Sequence, residues 1–157
     1  LAGSEKRGAS NASANLFKNA LCFLTKSNRT NLLALRKLAR FWRELGCRIK
    51  VLTPNEHDRI VAAISHLPHL VAVELVNSAE RNLDFAASGF CDTTRIASSE
   101  SEIWTDIFLT NVRHTLQALD DYLRRLKSMR RLIAKKDRKR LNSEFKKARR
   151  LRNGLQD

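Results

Sequence analysis

Two rhythms of apolar and polar positions run along this chain, one of period two and one near 3.6. After a small, polar opening at residues 2–15, a short apolar run at residues 20–25 reads as a buried strand. Leu32, Leu35, Leu38, Ala39, Trp42 and Leu45 then recur at helical spacing, with Thr30 or Asn31 able to cap the helix and Gly46 able to stop it. A second strand is expected at residues 48–53, where Ile49, Val51 and Leu52 are apolar. Thr53-Pro54-Asn55-Glu56 is a compound helix start: threonine caps, proline suits the first helical position, and the glutamate completes a capping box. The helical run that follows is expected to reach about residue 82 and is apolar on most faces, which marks a core helix covered by neighbours or by another subunit. Pro68 lies inside it. A proline there removes a hydrogen bond and clashes with the carbonyl of Ile64, so a kink is expected at residues 65–68. Residues 85–99 read as a loop or broken helix. Residues 101–133 read as one long helix with Ile103, Ile107, Phe108, Val112, Leu116, Leu119, Leu123 and Leu126 inward. A last amphipathic helix is expected at residues 138–151.

The pattern therefore predicts a mainly α chain with a short β-α-β unit in front, divided at residues 1–53 and 54–157. Two strands joined by a helix do not make a sheet that survives alone. They are expected to complete a sheet whose other strands lie upstream of Leu1.

Composition agrees with helix: of 157 residues, 43% are apolar and only 5 are Gly and 2 Pro. The net charge of +14 invites a polyanion partner, yet residues 124–152 alone hold 15 Lys/Arg against 2 acids. The charge belongs to one terminal segment, which has no aromatic platform, so nucleic acid is not the expected partner. The discriminating property is salt-sensitive binding that survives Arg95→Ala and fails on neutralising Arg149, Arg150 and Arg152. Cys22, Cys47 and Cys91 are odd in number and widely spaced, as expected of reduced thiols in a cytoplasmic protein. The chain has no run of 18 apolar residues and no signal-like opening, so no membrane span is expected.

Three places carry candidate chemistry. Ser65, His66 and His69 fall on neighbouring helical positions inside an apolar run. They should face a polar cavity, or else hydrogen-bond one another in the core. The spacing lacks the Glu of a zinc helix, so no metal is expected, and no Gly-x-Ser-x-Gly elbow is present to activate a serine. Arg95, after Gly89-Phe90-Cys91-Asp92-Thr93-Thr94, suits bidentate carboxylate recognition or a surface pair with Asp92. Trp104 lies near a helix start and suits either a core or a contact role. In isolation Ala2-Gly3-Ser4-Glu5-Lys6-Arg7-Gly8 is only a flexible loop.

Four blocks in order resemble the prephenate dehydrogenase family, which includes arogenate and cyclohexadienyl dehydrogenases. Leu1 to Gly8 is similar to the end of a His-Pro-x-Ala-Gly-Ser/Thr-Glu-Lys-x-Gly loop. Glu56-His57-Asp58 with Ser65 to His69, Asp92 to Ala97, and Trp104 to Asn111 match the other three. The resemblance implies the helical dimerisation domain of a 6-phosphogluconate-dehydrogenase-like enzyme, behind the tail of a Rossmann-type domain. It implies oxidative decarboxylation of prephenate or arogenate with NAD or NADP, in a homodimer, with tyrosine as a possible inhibitor. Arg95 then corresponds to the carboxylate anchor, and Ser65, His66 and His69 to the polar wall. Ser4 and Glu5 correspond to lining residues, Glu5 pairing with Arg95, and Trp104 is expected to approach from the partner subunit. The family's general-base His falls two residues before Leu1, and the Gly-rich fingerprint is missing. These 157 residues alone are therefore expected not to catalyse. The alternative is a non-catalytic helical dimer that binds tyrosine or a polyanion such as RNA.

Overall fold

The computed structural model describes Ser13 and residues 15–155, so the expected pocket residues Ser4 and Glu5 lie outside the described residues. The chain divides into two compact units, Leu1–Thr115 and Leu116–Asp157.

The first unit opens with β1 (Leu21–Thr25), α1 (Leu32–Glu44) and β2 (Arg48–Leu52). The strands pair in parallel, from Leu21 opposite Arg48 to Thr25 opposite Leu52, and α1 packs on both. Asn31 is the cap of α1, accepting from the backbone N–H groups of Leu33 and Ala34. Gly46 ends the helix at φ 90°, where Cys47 N–H reaches Trp42 O and Gly46 N–H reaches Arg43 O. That pair of bonds satisfies the last carbonyls in a Schellman motif. The described sheet holds only these two strands.

Thr53 closes β2 one residue early because it is the cap of α2 (Pro54–Val61). The expected capping box is complete: Glu56 N–H donates to Thr53 Oγ1 at 3.2 Å, and Thr53 N–H donates to Glu56 Oε2 at 2.8 Å. The helical run then widens into a π-turn at Ala62–His66 and continues as α3 (Leu67–Ser78). The expected kink at residues 65–68 is this turn. Leu67 N–H reaches back five residues to Ala62 O, which relieves the crowding that Pro68 imposes on the preceding carbonyls. The run Pro54–Ser78 is also long and apolar enough, by length and composition alone, to cross a membrane, its most apolar 18-residue window having a mean hydropathy of 1.5. It is not an unbroken run of 18 apolar residues, since Ser65, His66, His69 and Glu74 interrupt it. In this fold α2 packs on β1, and α3 packs on the short helices that follow.

Residues 85–99 resolve into α4 (Ser88–Thr94) and a 3₁₀ turn, Arg95–Ser98, preceded by another at Glu80–Phe85. The single helix expected at residues 101–133 is two, α5 (Ser101–Thr110) and α6 (Val112–Ala134). Asn111 breaks it with φ −123° and ψ 41°, spending its side chain on a distant backbone carbonyl. Of the inward face expected there, Ile103, Val112, Leu116, Leu123 and Leu126 are exposed in the single chain. The buried apolar set includes Leu24 and Leu52 of the strand pair, Val61 of α2, which packs on β1, and Ala72 of α3.

The second unit comprises the rest of α6 and α7 (Arg138–Asn153). Lys136 turns the chain at φ 52°, and Asp137 caps α7 by accepting from Arg140 N–H at 3.1 Å. Along α7 only Leu141 is partly covered, so its eight Lys/Arg side chains face solvent.

Candidate functional site

The π-turn ends at the residues singled out by sequence. His66 and His69, 7% and 3% exposed, are buried one turn apart, and Ser65 beside them is half-buried. Widened turns of this kind re-aim side chains and gather at functional sites. Opposite them, α5 and the start of α6 present Trp104, Phe108, Asn111 and Thr115 on one helical face. The His69 ring lies flat on Trp104, with centroids 3.5 Å apart and planes at 9°. His66 meets Trp104 and Phe108 edge-on, at 6.4 and 6.1 Å.

Polar groups close the other side. Asn111 Nδ2 donates to the carbonyl of Asp58 at 2.8 Å and lies 3.5 Å from His66 Nδ1. Thr115 Oγ1 is 3.3 Å from that same ring nitrogen. His57 Nδ1 and Asp58 Oδ1 are 3.0 Å apart, and the His57 ring sits edge-on to Phe23 of β1. Burial pushes the imidazoles of both His66 and His69 below the ordinary histidine value. For His66 the Asp58 carboxylate pulls weakly the other way. Both are therefore held neutral at neutral pH, able to donate and accept.

His69 Nδ1 is buried and has no hydrogen-bond partner among the described residues. A buried polar atom left so costs about 1–3 kcal/mol. It asks for a polar group from elsewhere.

Arg95 opens the 3₁₀ turn packed against α3, at an exposed position, so the structure brings its segment beside the helix carrying His69. Within the single chain Trp104 stacks on His69. Asn111, Thr115, Phe108 and Asp58 join the cluster without having been assigned roles. The spacing of Trp104, Phe108, Asn111 and Thr115, at four, three and four residues, was the signal that could have found them. Among the described residues no group of three or more His, Cys, Asp or Glu is placed to hold a metal ion.

What the fold defines is a mainly helical domain that follows a short parallel β-α-β unit. Residues 53–147 match the prephenate dehydrogenase dimerization domain, and residues 1–62 match the prephenate dehydrogenase nucleotide-binding domain. The chain belongs to the prephenate dehydrogenase family. It is 35% identical to a prephenate dehydrogenase of Bacillus subtilis, covering 99% of this chain and 44% of that protein. It is 34% identical to a cyclohexadienyl dehydrogenase of Zymomonas mobilis, covering 99% and 56%. A crystal structure of prephenate dehydrogenase from A. aeolicus, in complex with hydroxyphenyl propionate and NAD+, superposes with a TM-score of 0.92 at 29% identity. That match covers 99% of this chain and 57% of the other. The Synechocystis arogenate dehydrogenase gives 0.84 at 31% identity, covering 97% and 58%. The chain thus spans about half the length of the relatives it matches.

Proposed function

We propose that this chain supplies the substrate-binding and dimerisation part of an enzyme that oxidises and decarboxylates prephenate or arogenate. The products would be 4-hydroxyphenylpyruvate or tyrosine. The single observation that carries the reading is the His69 ring, clamped flat by Trp104 with one buried nitrogen left for a group outside the described residues. An aromatic wall with a few convergent polar atoms suits a small cyclic acid.

In this reading Arg95 binds a substrate carboxylate through its planar fork. His69, His66 and Ser65 hydrogen-bond the oxygen substituents, and Trp104 and Phe108 exclude water from the ring. The role of these residues is orientation and charge pairing; holding the reacting ring still contributes more than any one contact. NAD or NADP would accept the hydride. These 157 residues contain no Gly-x-Gly-x-x-Gly turn to cradle its pyrophosphate. In this reading the nucleotide-binding tail runs to residue 53 and the helical domain from residue 54, within the stretch where the two family matches overlap.

Homodimerisation is supported by the large apolar side chains left exposed in one chain, among them Ile103, Leu109, Val112, Leu116 and Leu126. A second copy laid on α5 and α6 would cover them. Tyrosine would compete for the same pocket, and a cytoplasmic location suits the three free thiols.

Calorimetric titration with 3-(4-hydroxyphenyl)propionate tests the reading. Binding should be lost or weakened at least tenfold in Arg95→Ala and in His69→Ala, and tyrosine should displace the probe. Equal affinity in both variants and the unsubstituted chain would remove the site from this cluster.

A further inference from the structure

Asn111 stands at the break between α5 and α6 and faces two groups at once. The carbonyl of Asp58 can only accept, so the Asn111 atom 2.8 Å from it is the amide nitrogen. That same nitrogen lies 3.5 Å from His66 Nδ1. Thr115 Oγ1, one turn along α6, is 3.3 Å from the same Nδ1. A hydroxyl can turn its proton either way, but an amide nitrogen cannot accept. An N–H at Nδ1 would therefore point hydrogen at hydrogen across the Asn111 contact, whereas a lone pair there receives donors from both sides. The ring has little freedom to turn away: it is 7% exposed and flanked edge-on by Trp104 and Phe108.

From this geometry we infer that Asn111 and Thr115 are positioning residues that fix His66 as the neutral tautomer with its proton on Nε2. The ring then offers a donor to the ligand of the pocket and selects an acceptor oxygen, a carboxylate, carbonyl or hydroxyl, over an ammonium group. The lowered proton affinity that burial gives His66 favours the same neutral ring. The inference rests on the ligand-site reading above for its second half only; the tautomer stands on the contacts themselves.

The test uses the full chain with ¹⁵N-labelled histidine. Ring-nitrogen NMR should report His66 Nδ1 as unprotonated and Nε2 as protonated at neutral pH. Asn111→Asp sets an acceptor-only group against Nδ1. It should move the proton onto Nδ1 and weaken 3-(4-hydroxyphenyl)propionate about tenfold, the loss of one good hydrogen bond. Thr115→Ser keeps the hydroxyl and should leave tautomer and affinity as they were. Thr115→Val removes one donor and should shift the Nδ1 resonance while retaining helix content by circular dichroism, which keeps the test open if Asn111→Asp unfolds the chain. An Nδ1–H tautomer in the unsubstituted protein, or a pattern unchanged by Asn111→Asp, overturns the inference. An unsubstituted chain that shows the expected ring nitrogens yet ignores the probe would sink the ligand-site reading and support the tautomer alone.

Discussion

Removing the indole of Trp104 tests whether the flat contact with His69 is an interaction or only proximity. Truncating a fully buried aromatic side chain to alanine costs about 3–5 kcal/mol. Trp104 is only half-buried, so Trp104→Ala should cost roughly 2–3 kcal/mol, scaled from that range. His69→Ala should cost much less. It loses packing, but it also removes a buried nitrogen with no partner among the described residues, whose desolvation costs about 1–3 kcal/mol. The two rings lie 3.5 Å apart at 9°, and stacked ring pairs add about 0.5–1.5 kcal/mol beyond their buried area. The double variant should therefore be more stable than the sum of the single losses predicts, by about 1 kcal/mol. Urea unfolding followed by circular dichroism, above the histidine titration range, measures all four corners of the cycle. In Trp104→Ala the His69 imidazole should also recover toward its ordinary proton affinity, since burial is what lowers it. Additivity within about 0.3 kcal/mol, with His69 titrating as before, would refute the argument.

Four further outcomes follow from the same structure. Gly46→Ala forces a side chain into φ 90° with its Cβ 3.2 Å from the Lys18 backbone, and should cost about 1–2 kcal/mol in the same unfolding assay. Thr53→Ala removes the cap of α2 and should cost about 1 kcal/mol. The Glu56 carboxyl is held below its ordinary value, first by the Thr53 backbone N–H and then by the hydroxyl. Its contribution is thus present above the ordinary carboxylate pKa and fades as pH falls through the lowered folded value, and Glu56→Gln should flatten that acid limb. His66 and His69 work from the other side of neutrality. Their folded proton affinities lie below the unfolded value of 6.5, so the unfolded chain takes up protons first. Stability should fall as pH drops below 6.5 and level off once the folded rings protonate, and a thermal melting series that stays flat there would contradict their burial.

Local chemistry made the early elements legible. The capping box at Thr53 and Glu56, the stop at Gly46 and the two short strands each follow from residues within a few positions of one another. Pro68 announced a distortion, and its form, one widened turn, needed the backbone to say how the crowding was relieved. The break at Asn111 was hidden because asparagine interrupts a helix only when its side chain finds a better use. Here that use is a carbonyl 53 positions away, at Asp58. The apolar face of α5 and α6 was read correctly as a face, but its exposure in the single chain is not written in periodicity. Periodicity says which residues share a side and not what lies against it. His66 and His69 were visible as polar intruders in an apolar run. Their partners Trp104, Phe108 and Thr115 come from helices more than 30 residues away and required the fold.

The π-turn at Ala62–His66 has a bearing on how the chain can change length. Such a turn carries one residue more than the α-helix around it. Elsewhere along the run, losing one residue would rotate everything beyond by about 100° and swing His69 off Trp104. Within the turn a single deletion would return the helix to its regular path with both flanking segments still in phase. What opposes the deletion is Pro68, whose ring would again press on a carbonyl four residues back. Deletion of Ala63 together with Pro68→Ala should therefore be accepted where a one-residue deletion elsewhere in the run is not, and proline and surplus residue would be gained or lost as a pair.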